Sequence, residues 1–234
     1  MINREKWRHI QQLQKGKHLM SKLHKPIEDF IVYLLYDLEF IGADHISIIT
    51  YILAFIVVYF FLQAKVCYAL VLALIVGILD GVDGKIARLR GKKTYIGKIE
   101  HSFDMLYEQI IYVSWIYYVY TTIPTISVIL IGIIFLVSDA FTRHVYMQFK
   151  IATGKNLLLM SKLDRKIAKI DGRRNVWFIY MLIGVVIQPI WGLILMLIHS
   201  LLTSIVYVVR AIQHLRGIDI REGMEKWQEM IYKS

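Results

Sequence analysis

Long apolar segments alternate with short polar ones along most of this chain. The apolar segments are 46–64, 66–79, 110–120, 123–138, 176–188 and 190–209. With flanking helix added, they approach the length of about 20 residues that crosses a hydrocarbon core of about 30 Å. They lack the period-two alternation of barrel strands, so helices must satisfy their backbone hydrogen bonds in lipid. The pattern predicts an all-α integral membrane protein with six transmembrane helices.

The polar segments set the expected boundaries. Residues 1–26 indicate a charged, partly helical segment that ends near Pro26. Residues 27–40 carry acids among apolar residues at helical spacing, which predicts an N-terminal amphipathic helix at the membrane interface. A cationic loop follows at 150–175, with a short helix expected over 157–169. We therefore expect a cytoplasmic N-terminal segment at 1–44, a six-helix transmembrane catalytic domain at 45–210 and a cytoplasmic C-terminal tail at 211–234.

Composition and charge agree with a membrane location and fix an orientation. Apolar residues make up 57% of the chain, and its formal net charge is +10. The cations concentrate in both terminal segments and in two alternate loops, while the other turns carry only Lys65. Under the positive-inside rule this places both termini in the cytoplasm. A soluble basic face is absent, so we expect no nucleic-acid partner, and the basic blocks suit anionic lipid headgroups. Aromatic residues of 110–120 are expected in an outer interfacial belt.

Carboxylates at membrane depth are the chemical signal of this sequence. Asp80 and Asp83 end the second apolar helix, and Glu100, Asp104 and Glu108 form a stripe at four-residue spacing on the third. A carboxylate at the bilayer centre costs about 2.5–3.5 kcal/mol on insertion scales, so such residues need partners or a function. Because hard divalent cations prefer oxygen ligands, the two helices can converge on a metal ion.

Small side chains and a cation follow the first two acids. Gly81, Gly84 and Ala87 would leave room for a bulky ligand beside the helix, and Arg88 lies one turn beyond Gly84. A simple ion site needs neither feature. Two other interpretations stay open: the acids are solvated helix ends, or the protein is a non-catalytic or ion-handling membrane protein that binds a divalent cation at the acidic cluster.

This stretch resembles the signature of the CDP-alcohol phosphotransferase family, D-x2-D-G-x2-A-R-x8-G-x3-D-x3-D. The first half is matched, spacing included, by Asp80, Asp83, Gly84, Ala87, Arg88 and Gly97. The family's six-helix layout, with this motif spanning helices two and three, agrees with the topology predicted above.

The second half of the signature departs from the pattern. Counting on from Gly97, the two expected aspartates fall on His101 and Met105. Either the helix is offset by one residue, so that Glu100 and Asp104 take the aspartate positions, or His101, Asp104 and Glu108 form a rearranged set. An inactive enzyme is the third alternative. Asp104 takes part in both active arrangements.

The resemblance implies the chemistry and the roles of these residues. It implies a divalent cation, Mg²⁺ or Mn²⁺, that the acids hold against the pyrophosphate of a CDP-linked donor; the candidate metal ligands are Asp80, Asp83, Glu100 and Asp104. Donor-binding candidates are Gly84, Ala87 and Arg88, and catalytic candidates are Asp104, Glu108 and His101. A hydroxyl acceptor, with or without a phosphate of its own, would take the substituted phosphate and release CMP.

The resemblance also extends to surroundings and to further positions. It implies a homodimer among membrane lipids, with the active site facing the cytoplasm; we expect the inner or plasma membrane of a prokaryote. Asp44 and Ser47 stand where relatives carry an Asn and a Thr near the cytosine, although Asp44 equally suits a helix N-cap. Arg143 is either a snorkelling cation or an acceptor-phosphate ligand. Arg173 and Arg174 could grip an acceptor phosphate or serve the positive-inside rule.

Overall fold

The computed structural model describes residues 3–14, 18–91, 95–172 and 175–232, with side chains for all of these except Tyr95, Glu100, Asn175 and 220–232. Within the described residues the chain forms nine α-helices, one 3₁₀ turn (Leu157–Leu159) and no strand. The helices are α1 (Arg4–Gln12), α2 (Leu19–Leu35), α3 (Ala43–Leu62), α4 (Val66–Arg90), α5 (Tyr95–Thr122), α6 (Ile126–Thr153), α7 (Lys162–Ile167), α8 (Asn175–Val186) and α9 (Pro189–Tyr232).

The prediction of an all-α membrane protein is confirmed, but six spans are not established. Among the described residues, four helical segments are long and apolar enough to cross a membrane: Ala43–Leu62, Val66–Arg90, Ile126–Thr153 and Pro189–Asp219. The 12 residues of α8 extend about 18 Å, which is short of the hydrocarbon core. Acids and tyrosines lower the mean hydropathy of α5, although it has 28 residues.

The long helices surround one apolar core. Helix α3 packs against α4 and α5, and α9 packs against α6 and α8. Trp115 of α5 and Trp177 of α8 are fully buried at the centre of this core, beside Phe61 and Phe135. Tyr112 is also buried. The expected outer aromatic belt is therefore wrong for Tyr112 and Trp115, which hold helices together inside the bundle.

Helix α2 is amphipathic, as predicted, but its charged side faces inward. It begins at Leu19 and runs through Pro26, so the boundary expected near that proline is wrong. Glu28 and Asp29 are 3% and 2% exposed. The opposite face is apolar and exposed, at helical spacing, through Leu19, Leu23, Ile27, Phe30 and Leu34. An apolar outer face of this kind suits contact with lipid, and the interfacial location stays a prediction.

The cationic loop contains the expected short helix and is tied to α9. Within it the 3₁₀ turn and α7 cover most of 157–169. Asp164 of α7 accepts hydrogen bonds from Arg210 Nε at 2.5 Å and pairs with His214 Nε2 at 2.7 Å. Burial alone would raise the pKa of Asp164, but hydrogen bonds from Arg210, Ser161 and His214 outweigh it and hold the pKa at about 2. Helix α9 continues through the expected tail as far as Tyr232.

Candidate active site

The motif aspartates lie on α4, and one of them is fixed from α3. Asp83 is 3% exposed, and its Oδ2 accepts a hydrogen bond from Ser47 Oγ at 2.8 Å. Asp80 lies one turn earlier on α4 and is half-buried. Ser47 comes from the second turn of α3, so the first turns of α3 meet α4 at the motif. The sequence had pointed to Ser47 only by resemblance, and the contact gives it a physical partner.

The N-terminus of α3 faces this contact. Gly42 is the N-cap, with its N–H donating to His45 Nδ1 at 3.1 Å. Asp44 therefore lies in the first turn, and the alternative that it caps the helix is wrong. Its Oδ1 is buried and accepts no hydrogen bond from the described part of the chain. The positive end of the helix dipole favours a carboxylate at this position.

Arg88 is folded back over the small residues of the motif. Its Nε donates to the backbone carbonyl of Leu13 at 2.7 Å, which joins the motif to the segment after α1. Its Nη1 lies 3.2 Å from where a Cβ on Gly84 would stand. Ala87 is half-buried beside it. The guanidinium and the glycine are thus adjacent, as the donor-binding prediction requires.

The acidic stripe of α5 divides into buried and exposed residues. Asp104 and Glu108 are 6% and 4% exposed, whereas the His101 side chain is 97% exposed, with Nδ1 3.6 Å from Asp104 Oδ2. Tyr51, one turn beyond Ser47 on α3, stacks on Phe103 with ring centroids 5.4 Å apart. Asp83 and the residue next to Asp104 thus contact positions one turn apart on α3, Ser47 and Tyr51.

Arg143 is turned inward, toward carboxylates of two helices. Its Nη2 donates to Glu108 Oε2 at 2.5 Å, and its Nε donates to Asp139 Oδ2 at 2.9 Å. Asp139 also accepts hydrogen bonds from Gln109 Nε2 at 2.7 Å and Trp177 Nε1 at 3.1 Å. A snorkelling arginine would point to the membrane surface, so that alternative is wrong. The network joins α5, α6 and α8.

The profile of the CDP-alcohol phosphatidyltransferase family matches residues 40–216. The chain belongs to this family. Comparison with curated proteins found no match. Members of the family transfer a phosphate-linked group from a CDP-alcohol and generally depend on a divalent metal. The matched range begins just before α3 and contains every predicted site residue.

The chain carries side chains that suit the divalent metal that the family generally uses. Asp80, Asp83 and Asp104 supply the oxygen donors that a hard divalent cation prefers. Among the side chains that the structure describes, however, no group of three or more His, Cys, Asp or Glu residues is close enough to hold an ion. The structure does not describe the Glu100 side chain. Arg173 and Arg174 also lie outside the described residues.

An apolar cavity of about 50 Å³ lies between α4, α5 and α8. It is lined by Val76, Gly77, Tyr107, Glu108, Ile111 and Met181, among others.

Sequence reasoning missed the charged partners behind the motif. Lys85, one of the cations between the second and third predicted helices, is 1% exposed and pairs with Glu28 and Asp29 of α2. Gly81, expected to make room for a ligand, instead faces the Glu28 carboxylate. The available signal was a pair of adjacent acids within the otherwise apolar stretch 27–36.

Proposed function

We propose that this protein transfers a substituted phosphate group from a CDP-linked alcohol, such as CDP-diacylglycerol, to an acceptor hydroxyl and releases CMP. The product would be a phospholipid or a soluble polyol phosphodiester. The observation that carries the proposal is the Ser47–Asp83 hydrogen bond beside Gly84 and Arg88. It brings a buried carboxylate, a guanidinium and a glycine of α4 together within the matched motif.

Arg88 and Gly84 would bind the donor. The guanidinium is preorganised by its bond to the Leu13 carbonyl, so binding a phosphate requires little further ordering of the side chain. Gly84 has no side chain to keep the pyrophosphate away from α4. Asp44 and Ser47 lie on the neighbouring turn of α3, where the nucleotide would extend.

Asp80, Asp83, Asp104 and Glu100 would hold Mg²⁺ or Mn²⁺. When bound, that ion would neutralise charge on the phosphates and stabilise the departing CMP. Asp83 is already held in one orientation by Ser47, so its contribution needs no rotamer change.

Asp104 would act as the general base. It would take the proton of the acceptor hydroxyl while that oxygen bonds to the phosphorus that carries the donor alcohol. The bond from this phosphorus to the bridging oxygen breaks, and CMP leaves with the electron pair. Glu108 is the weaker candidate because Arg143 holds its carboxylate as an ion pair. His101 is exposed and would stand outside the reaction.

The test is a CMP-release assay on the purified full-length protein. Donors with different alcohols and a panel of acceptors, including inositol phosphate, glycerol phosphate and serine, would be supplied with Mn²⁺ or Mg²⁺. Acceptor-dependent release of CMP with at least one pair supports the proposal. Tight divalent binding without CMP release from any CDP-alcohol would replace it with the ion-binding alternative. The homodimer and the cytoplasmic orientation of the site stay predictions.

A further inference from the structure

A buried ion cluster joins α2 to the side of α4 behind the motif. Lys85 Nζ donates to Glu28 Oε2 at 2.8 Å and to Asp29 Oδ1 at 2.6 Å. The second oxygen of Asp29 pairs with Lys25 Nζ at 2.7 Å. The two acids and two lysines of this cluster balance in charge. Of the four side chains, only that of Lys25 is appreciably exposed. Fully buried lysines are rare unless they are paired in this way.

Gly81 leaves room for the Glu28 carboxylate of the same cluster. A Cβ at this position would stand 2.3 Å from Glu28 Oε1, so any other residue would displace the carboxylate. Gly81 and Lys85 are one turn apart and therefore lie on one face of α4. The small residue admits the acid, and the lysine one turn later binds it. This face of the motif is occupied by protein rather than by a ligand.

The orientation of α2 follows from these contacts. Glu28 and Asp29 are buried, while Leu23, Ile27 and Phe30 are left on the outside. Burial raises the pKa of Glu28, and the neighbouring ammonium of Lys85 opposes that rise. Without Lys85, the buried Glu28 carboxylate would lose the ammonium that it contacts, while Asp29 would keep Lys25. We then expect α2 to separate from the motif or α4 to rotate.

We propose that Lys85 is a positioning residue of the phosphotransfer site, which fixes the rotation of α4 and thereby the locations of Asp80 and Asp83. This inference rests on the proposed function. Lys85 and Asp83 lie two residues apart, on opposite sides of the helix. A rotation of roughly 20° would carry a side chain about 5–6 Å from the helix axis through about 2 Å. A misplacement of about 1 Å at a reacting centre can cost about 100-fold in rate.

The experiment compares Lys85→Met with Lys65→Met in the full-length protein. Lys65 is the exposed residue at the opposite end of the same helix and serves as the matched control. For folded protein of each variant we would measure kcat, the KM for the donor and the Mn²⁺ concentration that gives half-maximal rate. We expect Lys85→Met to lower kcat about 100-fold and to raise the Mn²⁺ requirement, with the donor KM changed less than about threefold. Lys65→Met should match the wild type, and Lys85→Arg should retain most of the activity.

A second variant covers the case in which Lys85→Met does not fold. The double variant Glu28→Gln with Lys85→Met removes one charge of each sign and leaves the Lys25–Asp29 pair intact. We expect it to fold and to show a kcat about tenfold below the wild type, since the acid–lysine contact that fixes α4 is gone. Wild-type kcat and Mn²⁺ requirement in folded Lys85→Met, or in the double variant where the single one fails to fold, would overturn the inference. A wild-type protein that is inactive with all donors would instead overturn the proposed function, so the two failures are distinguishable.

Discussion

Replacing Arg143 by methionine tests whether this arginine is a structural link between helices. The change keeps most of the apolar side-chain length but removes the cation that Glu108 and Asp139 share. The Arg143 side chain is 19% exposed, and the two carboxylates are 4% and 1% exposed. Removing one partner of a buried ion pair costs about 3–5 kcal/mol because the remaining charge stays buried. We expect a loss near the lower end of that range, about 3 kcal/mol, since the arginine is partly exposed.

Each carboxylate keeps another hydrogen bond when Arg143 is removed. Asp139 would still accept from Gln109 and Trp177, and Glu108 from the Tyr112 hydroxyl at 3.4 Å. Neutralising one acid, in Glu108→Gln with Arg143→Met or in Asp139→Asn with Arg143→Met, should therefore recover part of the lost stability, because one fewer uncompensated charge stays buried.

The assay is unfolding in mixed detergent micelles, followed by the loss of helical circular dichroism. Lys150→Met is the matched control, because Lys150 is an exposed cation on the same helix. Its effect should stay within about 0.5 kcal/mol. If Arg143→Met were no less stable than Lys150→Met, the inward ion pair would contribute nothing and the reasoning would be refuted.

Three further predictions concern the site and the loop that contains α7. Ser47→Ala should lower kcat for CMP release about tenfold, since a hydrogen bond to a charged group contributes about 1.5–3 kcal/mol; an unchanged kcat would remove Ser47 from the site. His101→Ala should stay within about twofold of the wild-type rate, because the exposed imidazole is outside the buried stripe, and a loss comparable to that of an Asp104 variant would restore His101 to the candidates. The pKa of Asp164 is lowered to about 2, which gives the folded protein about 2 kcal/mol of stability. This contribution is complete above the usual pKa near 3.9 and is lost as the pH falls toward about 2. Thermal unfolding between about pH 5 and pH 2.5 should therefore show a smaller acid-induced loss of stability in Asp164→Asn than in the wild type.

The sequence predicted the membrane class and the first half of the site because both depend on local pattern. Apolar segments of sufficient length identify helices without knowledge of their partners. One helix, α4, contains Asp80, Asp83, Gly84 and Arg88. Helical periodicity alone therefore places their side chains relative to one another.

The rest depended on which faces of separate helices meet. The sequence did not specify that Lys85 turns away from its basic neighbours toward the acids of α2, or that Arg143 lies between Glu108 and Asp139. Both arrangements are long-range ion pairs, which periodicity does not specify. Tyr112 and Trp115 were misassigned for the same reason: an aromatic residue near a helix end suits an interfacial belt and a helix contact equally well.

The divergent half of the signature is clarified by burial. Strict spacing from Gly97 points to His101, but the His101 side chain is exposed, while Asp104 and Glu108 face inward. Of these two acids, Glu108 forms the ion pair with Arg143, and Asp104 is the proposed base. Asp104 takes part in both active arrangements, and the Glu100 side chain that the offset arrangement requires lies outside the described residues, so the choice between the two stays a prediction.

The most direct test of the proposed activity is the rate of CMP release by Asp83→Asn compared with the wild type, at saturating Mn²⁺ and CDP-alcohol. The substitution keeps the shape of the side chain and an oxygen that can accept the Ser47 hydrogen bond, but it removes the negative charge. We predict metal-dependent release by the wild type and a loss of at least about 1000-fold in the folded variant, equivalent to about 4 kcal/mol of transition-state stabilisation. A folded Asp83→Asn protein that releases CMP at the wild-type rate would contradict the account.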